Sequence, residues 1–140
     1  EAANLGAENA RGLSMGLNIS LPFEQPANAF QTEDLAFTFH YFFVRKFWFA
    51  YMAKALIVFP GGYGTLDELF ELLTLVQTQK KIEHIPIVLY GRKYWKRLIN
   101  FDFMEQSDMI TNNDKDLFYI CDDIDTAFKY VTKHIGKMKK

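Results

Sequence analysis

The stretch from Ala55 to Glu68 constrains this chain more than any other. It opens with Ala55-Leu56-Ile57-Val58-Phe59, a continuous apolar run without alternation. Such a run is expected of a parallel strand covered on both faces. Pro60 ends it, and Gly61-Gly62-Tyr63-Gly64-Thr65 leads into a helix expected over 65–79. There Leu66, Leu69, Phe70, Leu73 and Val76 recur at helical spacing. Strand, glycine-rich turn and helix in that order suit an open parallel sheet, whose ligands lie beyond the carboxyl ends of the strands.

The flanking sequence continues the alternation. A helix is expected over 1–10, rich in Ala and Glu, ended by Gly12, then a strand over 14–19. Pro22 and Pro26 mark 21–34 as a loop. A strand rich in Phe and Thr follows over 35–40, then a helix over 42–54 that is apolar on most faces and so expected to be deeply buried. Further strands are expected over 85–90 and 117–121. Helices are expected over 94–104, with Trp95, Leu98 and Ile99 inward, and over 124–134, with a polar loop over 107–116. The order predicts an α/β fold: a Rossmann-like, doubly wound parallel sheet in three α/β/α layers, forming one domain over 1–140. A chain of 140 residues with 49% hydrophobic content can bury such a core. The aromatic density of 37–49 predicts a thick core or a buried subunit interface.

Charge and composition exclude several classes. A net charge of −1 gives no basic footprint for nucleic acid. The basic end, Lys137-Met138-Lys139-Lys140, suits a helix C-terminus. The single cysteine, Cys121, forms no internal disulfide and no thiolate zinc site. His40, His84 and His134 are scattered, so no metal site is expected. No apolar run is long enough to span a bilayer and nothing reads as a signal peptide, so a cytoplasmic location is expected.

The turn itself meets the requirements of a phosphate site. Gly61, Gly62 and Gly64 lack a Cβ, can adopt positive φ, and let a ligand approach the backbone. Successive N–H groups can then face one anion, with roughly half a positive charge from the helix N-terminus behind them. Thr65 adds a hydroxyl. A purely structural alternative exists, because Thr65-Leu66-Asp67-Glu68 also fits a capping box with Thr65 as N-cap and Glu68 reaching back. Asp67 suits the role of a helix N-terminal charge. The turn is neither a Walker loop nor a Gly-x-Gly-x-x-Gly fingerprint.

Pro60-Gly-Gly-Tyr-Gly-Thr-Leu-Asp-Glu68 resembles the Pro-Gly-Gly-x-Gly-Thr-x-x-Glu signature of the LOG (Lonely Guy) family. Those proteins are cytokinin riboside 5′-monophosphate phosphoribohydrolases, and relatives carry the label "possible lysine decarboxylase". The family's second signature, an Arg-Lys pair upstream, is matched by Arg45-Lys46. Gly16-Leu-Asn-Ile19, Leu21-Pro-Phe-Glu-Gln25, Gln77-Thr78 and Tyr94-Trp95 are similar to the bacterial branch. Members of the family carry a strand, a helix and a second strand ahead of the position that Glu1 matches. The resemblance therefore implies a domain incomplete at its N-terminus.

The resemblance further implies hydrolysis of the N-glycosidic bond of a nucleoside 5′-monophosphate such as AMP, giving free base and ribose 5-phosphate, with no cofactor. The oxocarbenium-like ribose of such a reaction needs negative charge nearby and a positioned water. Glu68 would supply both, and Arg45 would hold the phosphate or the departing base with its planar fork. Gly61, Gly62, Tyr63, Gly64 and Thr65 would anchor the phosphate, with Lys46 as a further contact, while Glu24 and Gln25 would line the ribose or base pocket. Members are dimers, so a homodimer is implied. Three other readings stand beside this one. The first is a nucleotide or molybdenum-cofactor-like carrier of the same fold, which keeps the turn without needing Arg45 and Glu68 together. The second is a truncated structural subunit. The third is a true lysine decarboxylase, which would need pyridoxal phosphate on a Schiff-base lysine, and no lysine here has the sequence context for one.

Overall fold

The computed structural model describes residues 1–21, 28–78 and 85–138. The chain divides into two compact units, Glu1–Met52 and Ala53–Lys140.

The first unit contains helix α1 (Ala2–Asn9), strand β1 (Gly16–Ile19), a 3-10 turn (Glu33–Leu35), strand β2 (Ala36–Phe39) and helix α2 (Phe42–Met52). Arg11, rather than Gly12, takes the left-handed conformation after α1 (φ +56°), and the Gly12 N–H closes the end on the Ala7 carbonyl at 2.7 Å. β1 and β2 pair in parallel, with Gly16 opposite Ala36 and Ile19 opposite Phe39. α2 packs on both strands. Its burial differs from the expectation. Only Ala50 is buried, while Phe43, Phe47 and Tyr51, spaced four residues apart on one face, are 70%, 56% and 69% exposed. Apolar residues on most faces of a helix require cover on most faces, and the two strands supply cover for one.

The second unit contains strand β3 (Leu56–Val58), helix α3 (Tyr63–Gln77), strand β4 (Ile87–Tyr90), helices α4 (Arg92–Leu98) and α5 (Phe101–Gln106), a 3-10 segment (Asn112–Leu117), strand β5 (Tyr119–Cys121) and helix α6 (Ile124–Met138). Its sheet runs β3-β4-β5, all parallel, with Leu56 opposite Ile87 and Val88 opposite Tyr119. The strand covered on both faces is therefore β4, not β3. Ile87, Val88 and Leu89 are wholly buried, whereas Ile57 on the edge strand β3 is 45% exposed. α4 packs on β4 and β5, and α6 packs on β4. Val88, Cys121 and Ala127 form a small cluster beside the stacked rings of Tyr119 and Tyr130. Burial pushes the Cys121 thiol above its ordinary pKa, and the neighbouring Asp122 and Asp123 charges act in the same direction.

Two helix boundaries depart from the sequence reading. The expected helix over 94–104 is two helices. Ile99 turns extended, and Asn100 restarts the chain as an N-cap, its Oδ1 accepting the Phe103 N–H at 3.0 Å. Trp95 is wholly buried and donates its indole N–H to the Tyr90 carbonyl at 3.0 Å, but Leu98 faces solvent. α3 begins at Tyr63, two residues earlier than expected, and its buried stripe is Leu69, Leu72 and Val76. Parallel strands joined through helices make this a Rossmann-like α/β fold, with its strands in two small sheets. No helix among the described residues is long and apolar enough to cross a membrane.

The 3-10 segment before β5 carries a pH-sensitive cap. Asp114 accepts the Thr111 N–H at 2.7 Å and the Thr111 hydroxyl at 2.9 Å. The Thr111 backbone N–H above all, then the Gln77 side chain and the Thr111 hydroxyl, holds the Asp114 carboxyl below its ordinary pKa against the opposing effect of desolvation. A depressed folded-state pKa gives stability that is complete above the unfolded value, near about 4, and lost as pH falls through the folded value. Asp114→Asn is expected to lower the melting temperature at pH 7, with the deficit shrinking below about pH 4. A deficit that stays constant from pH 7 to pH 2.5 in thermal scans would contradict this assignment.

Candidate functional site

In the second unit the glycine-rich turn stands at the carboxyl end of β3 and forms the N-terminus of α3. Gly62 is the N-cap, with extended backbone (φ −92°, ψ −150°) and no side-chain cap, and its carbonyl receives the first helical bond from the Leu66 N–H at 3.1 Å. Thr65 is thus the third helical residue and not the N-cap. The capping-box explanation for Glu68 falls with that, because Glu68 lies six residues beyond the N-cap instead of three. The N–H groups of Gly62, Tyr63, Gly64 and Thr65 are those that helix geometry leaves without intrahelical acceptors.

The three glycines have different reasons to be glycine. A Cβ on Gly61 would lie 2.2 Å from the Thr65 hydroxyl oxygen, so the folded-back Thr65 side chain occupies that space. A Cβ on Gly62 or Gly64 would meet nothing within 4 Å. None of the three uses the positive φ that glycine allows. What they have in common is bare backbone in front of a helix end. Tyr63, at the first helical position, is 93% exposed. Glu68 is half-buried one turn further along α3, three residues from Thr65 and four from Gly64. Residues at those spacings are neighbours on a helix, so Glu68 shares a face of α3 with Gly64 and Thr65.

A second set of contacts fixes the turn from the neighbouring strand. Gly91, after β4, is left-handed (φ +102°), and a Cβ there would meet Pro60 at 3.2 Å. Its N–H bonds the Cys121 carbonyl at 2.9 Å, and its carbonyl starts α4 by accepting from Tyr94 and Trp95. The Tyr94 hydroxyl reaches back and donates to the Gly61 carbonyl at 2.5 Å. Arg92 and Asp122 close the far side, the Arg92 N–H donating to Asp122 Oδ1 at 2.6 Å. An open pocket of about 600 Å3 beside this junction is lined by Gly91, Lys93, Tyr94, Arg97, Leu98 and Asp122. The role of Tyr94 was not readable from sequence, because nothing in the chain order says that positions 61 and 94 meet.

In the first unit Arg45 and Lys46 are the fourth and fifth residues of α2, directly after the carboxyl end of β2. They hold the same place in their strand–helix unit as the turn and Glu68 hold in theirs. Both are half-buried, and Arg45 Nη1 donates weakly to the Leu17 carbonyl at 3.4 Å. An amide cluster that the sequence did not reveal lies in the same unit. Asn4 bonds the hydroxyl of buried Ser14 and accepts from the Asn28 amide at 2.7 Å. Ser14 and Thr32 bond each other twice, and Asn18 and Gln31 exchange amide bonds at 3.3 Å. Glu24 and Gln25 lie outside the described residues.

The parallel α/β arrangement, with a glycine-rich turn at a strand's carboxyl end, defines a Rossmann-like α/β protein. The family model described as "possible lysine decarboxylase" matches residues 1–131, and the chain belongs to that family, the LOG family. A search of curated proteins gave no match.

The glycine geometry gives a stability contrast. Gly61→Ala is expected to cost about 1–3 kcal/mol, because the added methyl must displace Thr65. Gly64→Ala is expected to stay within about 1 kcal/mol of the parent, since it faces open space in a helix that Ala suits, and Gly62→Ala to cost about 1 kcal/mol, since Ala is a poor N-cap. Urea unfolding of the three variants checks this, and an equal loss in all three would refute the distinction.

Proposed function

We propose that this protein is a nucleoside 5′-monophosphate phosphoribohydrolase, cleaving the N-glycosidic bond of AMP or of a cytokinin riboside monophosphate to free base and ribose 5-phosphate. Family membership supports hydrolase-type chemistry on nucleotides. The observation that carries the finer reading is the start of α3 at Gly62. It removes the capping-box role from Glu68 and puts that residue one helical turn from Gly64 and Thr65, whose backbone N–H groups have no intrahelical acceptor.

In this reading the turn Gly61–Thr65 holds the 5′-phosphate, and binding energy there orients the ribose. The Glu68 carboxylate stabilises the oxocarbenium-like ribose and takes the proton of the attacking water. Arg45 supplies its planar fork to the phosphate or the departing base, and Lys46 adds a second cation. The pair lies early in α2, directly after a strand's carboxyl end, which supports a role in the chemistry because ligands of such sheets bind there. The exposed row Phe43, Phe47 and Tyr51 supports a homodimer. A cytoplasmic location fits the single buried thiol.

The test is release of free base and ribose 5-phosphate from AMP. It uses the chain alone and the chain carrying a family-type N-terminal strand–helix–strand. Glu68→Ala and Arg45→Ala are each expected to reduce turnover at least about 100-fold. Well-folded protein that binds AMP and releases no base from a broad panel of nucleotides would replace the enzyme with a nucleotide carrier.

A further inference from the structure

We infer that Tyr94 is a positioning residue for the phosphate turn, orienting the Gly61–Gly62 peptide so that the Gly62 N–H faces the anion. The inference rests on the phosphate-binding reading of that turn and adds a residue from a different strand–helix junction to it.

The Tyr94 hydroxyl donates to the Gly61 carbonyl at 2.5 Å, a short bond for two neutral groups. Gly61 C=O and Gly62 N–H belong to one planar trans peptide and point in opposite directions. Holding the carbonyl toward Tyr94 therefore turns the Gly62 N–H to the opposite side. That N–H belongs to the N-cap, and it joins the N–H groups of Tyr63, Gly64 and Thr65 ahead of α3. The Leu66 N–H holds the carbonyl of Gly62 itself, one peptide further on, and Gly62 has no side chain to pack. A glycine peptide of that kind rotates readily, and a rotated peptide would present its carbonyl oxygen to the anion instead.

The tyrosine is itself held in place. Left-handed Gly91 starts α4 and packs against Pro60, so the junction after β4 touches the turn after β3 at two points, Pro60 and Gly61. The Tyr94 N–H bonds the Gly91 carbonyl at 3.0 Å, and the ring meets wholly buried Trp95 edge-on at 5.1 Å. The anchor thus comes from the rigid strand β4, and the anion-facing group comes from a flexible glycine. This division leaves Tyr94 behind the peptide, with the phosphate on the opposite side.

The experiment compares wild type, Tyr94→Phe and Tyr90→Phe. Phe keeps the ring against Trp95. Tyr90→Phe is a matched loss of one hydroxyl at the same sheet edge, since Tyr90 donates to the Asp122 carbonyl at 2.8 Å, away from the turn. AMP affinity is measured by calorimetry, and the Gly62 amide resonance is followed by NMR during AMP titration. Tyr94→Phe is expected to weaken AMP binding roughly fivefold, as the loss of one hydrogen bond does. Its Gly62 resonance is expected to lose most of the shift that AMP causes in wild type, while Tyr90→Phe keeps both. Tyr94→Phe that binds AMP within twofold of wild type, or whose Gly62 resonance responds as in wild type, overturns the inference and leaves the phosphate turn standing. Loss of melting temperature without loss of AMP affinity makes Tyr94 merely structural and overturns it too. Wild-type protein that fails to bind AMP, or binds it with no response at Gly62, overturns the phosphate reading itself.

Discussion

The burial of β4 is the constraint on which the second unit depends. Ile87, Val88 and Leu89 have no contact with solvent, and such a strand must have a neighbour on each edge and cover on each face. β3 and β5 supply the edges in parallel, which brings the carboxyl ends of three strands side by side. Three departures then leave one side of the sheet: the turn at 60–65, the left-handed Gly91, and Asp122 after β5. Their hydrogen bonds to one another follow from that adjacency. Gly91 reaches β5 through the Cys121 carbonyl, Arg92 reaches Asp122, and Tyr94 reaches Gly61. The chemistry of the turn is thus an outcome of how a fully apolar strand is buried.

Much of this was legible in the sequence. The alternation of strands and helices could be read because the two periodicities differ and because proline and glycine separate the segments. The misreadings have physical causes. Ala55–Phe59 and Ile85–Tyr90 are both unalternating apolar runs, and composition alone could not say which one the fold places at an edge. α3 starts among glycines because a first turn forms few intrahelical bonds and tolerates weak helix formers. The break at Ile99–Asn100 had a signal, since Asn is a strong N-cap, but the apolar spacing across it concealed the signal. The exposure of α2 could not be read at all. Apolar residues announce that they need cover without saying which surface provides it.

The candidate site divides along the same line. Gly61, Gly62, Gly64, Thr65 and Glu68 are close in sequence, so their grouping on one strand–turn–helix junction was readable, while the helix start at Tyr63 was not. Arg45 and Lys46 are likewise adjacent in the sequence. Tyr94 was visible only as a family-like residue, because its function is a contact across 33 positions. The turn glycines could adopt positive φ, yet only Gly91 among the described glycines does so. The turn glycines serve by leaving space, and Gly91 serves by conformation.

That difference between leaving space and adopting a conformation bears on how such a protein can diverge. At Gly61 a side chain collides with Thr65, and at Gly91 it would sit on a left-handed backbone, so purifying selection for folding alone would hold both. At Gly62 and Gly64 the fold imposes no such penalty. A methyl or hydroxymethyl group arriving there would alter only the volume and polarity offered to an incoming anion. A lineage can therefore drift toward bulkier or uncharged ligands at these two positions at a stability cost of only about 1 kcal/mol, and strong restraint on them across descendants would record ligand choice more than architecture.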